Sequence, residues 1–233
     1  MFNNPVPVSP EQHSAIKIRQ QGTIEHLIDR QFVPVFFGEF NKVSAHYPIF
    51  FVYEEQSKQY RPIAVFGLLE KQNLFLQQGR WDAAYVPATL RSYPFSIARA
   101  ENTDDQWMVC IHPESELVST TEGQAIFDEN KQPTEFYQNL TNFLQDLLAH
   151  EMVSVEITTL LQQLDLFKEE ALKFTDSSGK QGALNGFHVI DQEKLAALSD
   201  SDFLKLRQHN ALDAIYHHLS SLDRVSDLVR RLG

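Results

Sequence analysis

The 233-residue chain is 42% hydrophobic and 22% charged, the balance of a globular protein able to bury a sizeable core. Its net charge of −11 argues against the clustered Lys/Arg surface that nucleic acid or anionic lipid requires, so neither is expected as a partner. The single cysteine, Cys110, permits no internal disulfide, and its apolar context "WMVCIHP" predicts a buried structural thiol.

The N-terminal "MFNNPVPVSPEQ" lacks the basic and then apolar pattern of a secretory signal. Apolar runs such as "YPIFFVY" (47–53) fall far short of the ~20 residues that cross a bilayer as a helix. The expected location is the cytoplasm. The first half then reads as strands: "AIKIR" (15–19), "FVPVFF" (32–37), "PIFFVY" (48–53), "RPIAVFGL" (61–68), "NLFLQ" (73–77), "FSIAR" (95–99) and "WMVCI" (107–111). Short polar links, among them "EEQSKQY" and "AENTDD", join neighbours and favour an antiparallel meander over crossover units.

Near "DENKQPTEF" (128–136) the period changes. Pro133 suits a first helical turn and Glu135 favours the positive end of the helix dipole. Phe136, Leu140, Phe143, Leu144, Leu147, Leu148, Val155, Leu160, Leu161 and Leu164 then recur at helical spacing, predicting a long helix over 133–165. Met152, Val153 and Val155 widen its apolar face, which is either an interaction surface or, as expected here, buried on two sides. "ALKFT" (171–175), a loop "DSSGKQGALNG" and "FHVI" (187–190) predict a strand pair that joins the main sheet. Short helices follow to the end, with Asp and Ser near their starts and basic residues in the last turn of "DRVSDLVRRL". The expectation is one α+β domain over 1–233. Its antiparallel, mostly N-terminal sheet is a meander, open or partly closed, packed with a long helix and a C-terminal set of short helices. Residues 1–127 are β-rich, and 128–233 are helical with a short strand pair.

Chemical motifs are scarce. No G-x-S-x-G, phosphate loop, G-x-G-x-x-G or H-E-x-x-H occurs, so neither a cofactor nor a metal is expected. His209, Asp213 and His217 recur every four residues. However, Leu212, Ile215, Leu219 and Leu222 define the apolar side of that helix, at ~100° per residue, and leave the His/Asp stripe to solvent. The densest segment is "GRWDAAYVPATLRSYPF" (79–95), with four aromatics, two prolines and two arginines. Arg80, Trp81, Asp82, Tyr85, Arg91 and Tyr93, with His46 and Tyr47 from "EFNKVSAHYP", are candidates for gripping a peptide. They are equally suited to closing one end of a sheet. An enzymatic alternative would use Glu39 or Asp82 as base and Arg91 as anion clamp, with His46 beside them.

Several blocks together resemble the SapC-like family of bacterial proteins, named for a surface-array gene cluster. They are "HYPIFFV" (46–52), "RPIAVFGL" (61–68), "NLFL" (73–76), "GRWDAAYVPATLRSYPF" (79–95), "IFDENKQPTEF" (126–136) and "FLKLRQHNALDAIYHHLSSL" (203–222). Relatives often carry Gly at the position of Asn210. The resemblance implies an accessory protein handling a peptide or protein partner. By gene association, that partner belongs with a tryptophan halogenase, a cupin-like protein or a TonB-dependent receptor. A peptide-tailoring enzyme and a structural surface-layer component are the alternatives that it leaves open.

Overall fold

The structure, a computed structural model, describes residues 5–19, 27–99 and 107–233. The turn expected at "AENTDD" lies outside them. The chain is α+β and divides into two compact units, Met1–Thr23 with Thr89–Ala149, and Ile24–Ala88 with His150–Gly233.

In the first unit, strand Trp107–Ile111 pairs antiparallel with Val6–Pro7 and with Phe95–Arg99. A second small sheet sets Lys17–Ile18 between Val118–Ser119 and Gln124–Ala125. Ile18, Phe95, Ile111, Ile126, Phe127 and Leu144 form the core, with Tyr137, Leu140 and Leu147 packed against it. Cys110 is buried within this sheet, and burial pushes its thiol pKa up, away from reactivity.

The long helix Glu135–Gln163 is shared, with residues to Ala149 in the first unit and the remainder in the second. Thr134 caps it, its Oγ1 accepting from the Tyr137 N–H and donating to the Ala125 carbonyl. At the other end Asp165 turns left-handed (φ 52°) and the Leu166 N–H returns to the Leu161 carbonyl, which closes the last turn. Met152 and Val153 are exposed, not buried as their apolarity suggests, because Ser154, Ile157, Thr158 and Leu161 take the inward face.

In the second unit, Ile49–Glu54 and Gln59–Val65 form a hairpin at the centre of a five-stranded sheet. Phe32–Pro34 flanks it beside Gln59–Val65. On the other side lies Phe187–Ile190, with Phe167–Glu169 outermost. Pro62 is tolerated in a strand with two neighbours because its face without an N–H points toward Val35, where the edge strand has already ended. The Val35 N–H instead donates to the Pro62 carbonyl. The strand pair expected at 171–175 and 187–190 is rearranged. Leu172–Thr175 pairs with Gln181–Leu184, inside the expected loop, and only Phe187–Ile190 enters the main sheet. Asp176 makes this hairpin by accepting from the Ser178 and Lys180 N–H groups.

Helix Ala211–Ser221 holds this sheet through polar groups. Ladder pairing of Phe187–Ile190 with Ile49–Glu54 includes His188↔Phe51 and stops before Ile190 would meet Ile49. His218, wholly buried, fills the gap. The Ile190 N–H donates to its Nε2 at 3.1 Å, so Nε2 carries no proton and Nδ1–H donates to the Ile49 carbonyl at 3.0 Å. The imidazole thus stands in for a backbone hydrogen-bond pair. Ser221 extends the clamp, accepting from the Ile49 N–H at 2.9 Å and donating to the His218 carbonyl at 2.6 Å. Burial drives the His218 pKa down to about 3, against the opposing effect of its bond to Ile49, and the ring is neutral.

Asn210, just before this helix, has φ 54°. Left-handed backbone suits Gly and, next, Asn, so Asn is at home in this position.

Two predictions follow from these contacts. Unfolded His218 takes up a proton below its ordinary pKa while the folded ring does not. Unfolding free energy should therefore fall from pH ~6.5 toward ~3, by up to about 1.4 kcal/mol per pH unit. Burial lowers the His188 pKa as well and adds in the same direction. Urea titrations across that window should show a shallower dependence for His218→Gln. His218→Ala leaves an N–H and a carbonyl unpaired and should cost about 1–3 kcal/mol for each. At Asn210, substitution by Ala should destabilise by about 1 kcal/mol and by Gly should not, as measured by thermal unfolding.

Candidate functional site

Residues 79–88 of the aromatic segment form a corner of the second unit. Gln78 and Gly79 both have positive φ (49° and 73°) and form the two-residue loop joining Leu76–Gln77 to Arg80–Trp81, the geometry of a primed hairpin turn. Alternation then separates exposed Arg80 from the half-buried Trp81. The indole lies edge-on to Phe66 at 5.1 Å and stacks on Phe75 at 6.2 Å, and its Nε1–H donates to the Tyr47 hydroxyl at 2.7 Å.

Tyr47 is wholly buried and its O–H donates to the Tyr85 carbonyl. Burial pushes this phenol well above its ordinary pKa, outweighing the opposing effect of the Trp81 hydrogen bond, so it remains protonated. Tyr85 in turn donates its own O–H to Glu39 Oε2 at 2.7 Å. Glu39, buried, also accepts the Ala88 N–H at 3.0 Å on Oε2 and the Phe36 N–H at 3.1 Å on Oε1. One carboxylate therefore ties the end of the segment to the turn at Phe36–Phe40.

Asp82 points to the C-terminal helix Val225–Leu232, where Arg231 Nη1 donates to its Oδ2 at 2.6 Å. The same guanidinium lies 4.4 Å over the Phe75 ring and donates to the carbonyls of Asp82 (3.2 Å) and Leu74 (3.4 Å). Next to it, Arg224 and Arg230 both bind Asp227. Burial raises the Asp227 carboxyl pKa, but those two hydrogen bonds together outweigh it and hold the group below its ordinary value. Between these pairs opens a cleft of about 340 Å³, lined by His46, Phe75, Asp82, Asp227, Arg230 and Arg231.

Of the sequence candidates, His46, Tyr47, Arg80, Trp81, Asp82 and Tyr85, with Glu39, lie in this unit, whereas Arg91 and Tyr93 belong to the other. There Arg91 sits 5.0 Å over the Phe143 ring and Tyr93 stacks on His112 at 5.9 Å. Asp82 takes Arg231 as its partner. The histidine stripe is taken up by pairings within the protein, His209 with Glu156 at 2.7 Å and His217 with Asp213 at 3.5 Å and with Ser44 at 3.3 Å. Among the described residues no group of three or more His, Cys, Asp or Glu could hold a metal. No helix among them is long and apolar enough to cross a membrane.

Comparison with protein families matches residues 8–228 to SapC. The chain belongs to the SapC family. No curated protein and no solved structure gives a match. The SapC match includes Asp82 and Asp227 and ends before Arg230 and Arg231, so their role is read from this chain's own geometry. Sequence reasoning missed Phe75, Asp227, Arg230 and Arg231. The two arginines read there as a basic last turn, and 149 residues separate Arg231 from Asp82. Adjacent arginines closing an amphipathic helix were the available signal.

The corner yields a stability prediction. Glu39→Ala strands two N–H donors and the Tyr85 hydroxyl and should destabilise by about 2–4 kcal/mol, as read by urea denaturation. Arg80→Ala, on the exposed face, should stay within about 0.5 kcal/mol.

Proposed function

We propose that this SapC protein is a non-catalytic accessory protein that binds a peptide or protein partner at the Gly79–Ala88 corner and its adjoining cleft. The observation that carries this reading is that the carboxylates and the buried phenol of the corner are tied into structural bonds. Glu39 accepts from three donors, the Tyr47 hydroxyl lies between Trp81 and the Tyr85 carbonyl, and Asp82 is bound to Arg231. A general base or nucleophile must turn its lone pair to substrate, whereas Glu39 and Tyr47 are buried with their oxygens turned to protein partners and Asp82 is paired with a guanidinium that lowers its basicity. Aromatic and guanidinium surface stays available, the equipment of an interaction site.

The net charge of −11 supports a protein or peptide partner over nucleic acid. The family's gene association supports a tryptophan halogenase, cupin-like protein or TonB-dependent receptor system as the setting, met in the cytoplasm. A family match that runs through both compact units supports one SapC domain acting as a whole.

The test places a photo-crosslinking amino acid at Arg80 or, as a control, at Lys58 in the turn at the far end of the central hairpin from Tyr47. Irradiation in native lysate should join one protein or peptide species to position 80 and not to position 58. Equal labelling at both positions, or none at 80, refutes this site.

A further inference from the structure

The Arg231 guanidinium is held unusually well for a residue of a terminal helix turn. It lies over Phe75, and both Nη atoms donate to Asp82, Nη1 to the carboxylate and Nη2 to the carbonyl. Nη1 also donates to Leu74. An arginine has five N–H groups, and these three bonds engage both Nη1 hydrogens and one of the two on Nη2. With Asp82 as the shared end-on partner of Nη1 and Nη2, what is left is the side-on pair, Nε–H and the second Nη2–H, for which no acceptor occurs among the described residues. Two parallel donors held in a plane are the counterpart of a carboxylate's two oxygens.

The surrounding charge has the same sense. Arg224, Arg230 and Arg231 face Asp82 and Asp227, three positive charges against two negative on a chain whose net charge is −11. A local excess of one positive charge suits a monoanion. A doubly charged phosphate would meet two nearby carboxylates. Asp82 itself shows the chemistry, as a half-exposed, tethered carboxylate already bound to Nη1 of the same guanidinium.

We infer that the free side-on edge of Arg231 is a carboxylate-binding subsite, which takes an acidic side chain or chain terminus of a bound peptide. This rests on the binding reading above and names the group that the cleft recognises. Asp82 holds the fork in place and, by its own charge, weakens what binds there.

The test follows the Arg231 Nε–H signal by ¹H–¹⁵N NMR, identified by its loss in Arg231→Lys. The probes are N-acetyl-Ala-Ala with a free carboxylate, the same peptide as its amide, N-acetyl-Ala-Glu amide, and inorganic phosphate, all at matched ionic strength in chloride. A saturable millimolar shift with the free dipeptide assigns a chain terminus, and one with the Glu peptide assigns a side chain. The neutral amide should give none. Asp82→Asn, at a half-exposed site, should tighten carboxylate binding about fivefold or more, the effect of removing a like charge a few ångströms away. No saturable shift with either carboxylate, an equal shift with phosphate, or unchanged affinity in Asp82→Asn overturns the assignment. If Arg231→Lys fails to fold, the wild type and Asp82→Asn still decide it, with the signal assigned through its coupling to Arg231 Cδ. Failure here with position-80 crosslinking intact overturns the carboxylate alone, whereas loss of that crosslinking overturns the binding site itself.

Discussion

The second unit depends on a neutral imidazole set between two strands. Where the pairing of Phe187–Ile190 with Ile49–Glu54 gives out, His218 receives the Ile190 N–H and gives its own proton to Ile49. A buried N–H and a buried carbonyl that would each cost about 1–3 kcal/mol unpaired are satisfied by one side chain. Because that side chain belongs to helix Ala211–Ser221, the clamp also fixes where the helix sits. Ser44 reaches His217 on the same helix at 3.3 Å, so the turn ahead of Tyr47 is fastened to it as well.

From Tyr47 the order passes outward through hydrogen bonds, to Trp81, to the Tyr85 carbonyl, and through the Tyr85 hydroxyl to Glu39. Each link satisfies a polar group that its surroundings would otherwise leave dry. The dense aromatics at 79–95 are thereby explained in part. Trp81 and Tyr85 build a rigid corner, Pro87 is buried within it, and Arg80 and Asp82 remain at the surface. Rigidity of this kind lowers the ordering cost of binding, which is how a structural corner also serves as a grip.

Much of the fold is legible in the sequence. The long helix shows its period and its acidic first turn at Glu135, although it begins after Pro133 and its cap is Thr134, and Asp191 and Ser199 cap the short helices as their residue types indicate. Gln181–Leu184 was hidden because Gly182 and Ala183 carry no strand signature, and its hairpin depends on the Asp176 turn. The inward face of Ala211–Ser221 was legible in part, for a different reason. Of the apolar side Leu212, Ile215, Leu219 and Leu222, Ile215 is buried and the leucines half-buried, yet Ala211, Ala214, His218 and Ser221 are buried as well, two of them because backbone groups of Ile49 and Ile190 need partners. Hydropathy does not report that demand. The cleft was illegible because its arginines and Asp82 come together only through the folded chain.

The order in which the chain is made bears on that clamp. Ile49 leaves the ribosome 169 residues ahead of His218, an interval on the order of ten seconds at ordinary elongation rates. Through that time the central hairpin, with Phe50 and Phe51 on its apolar faces, has neither its neighbour strand nor its histidine. Its open edge is a template for pairing with another nascent chain. The late arrival of Phe187–Ile190 and His218 therefore closes an edge that stands open through most of the chain's synthesis.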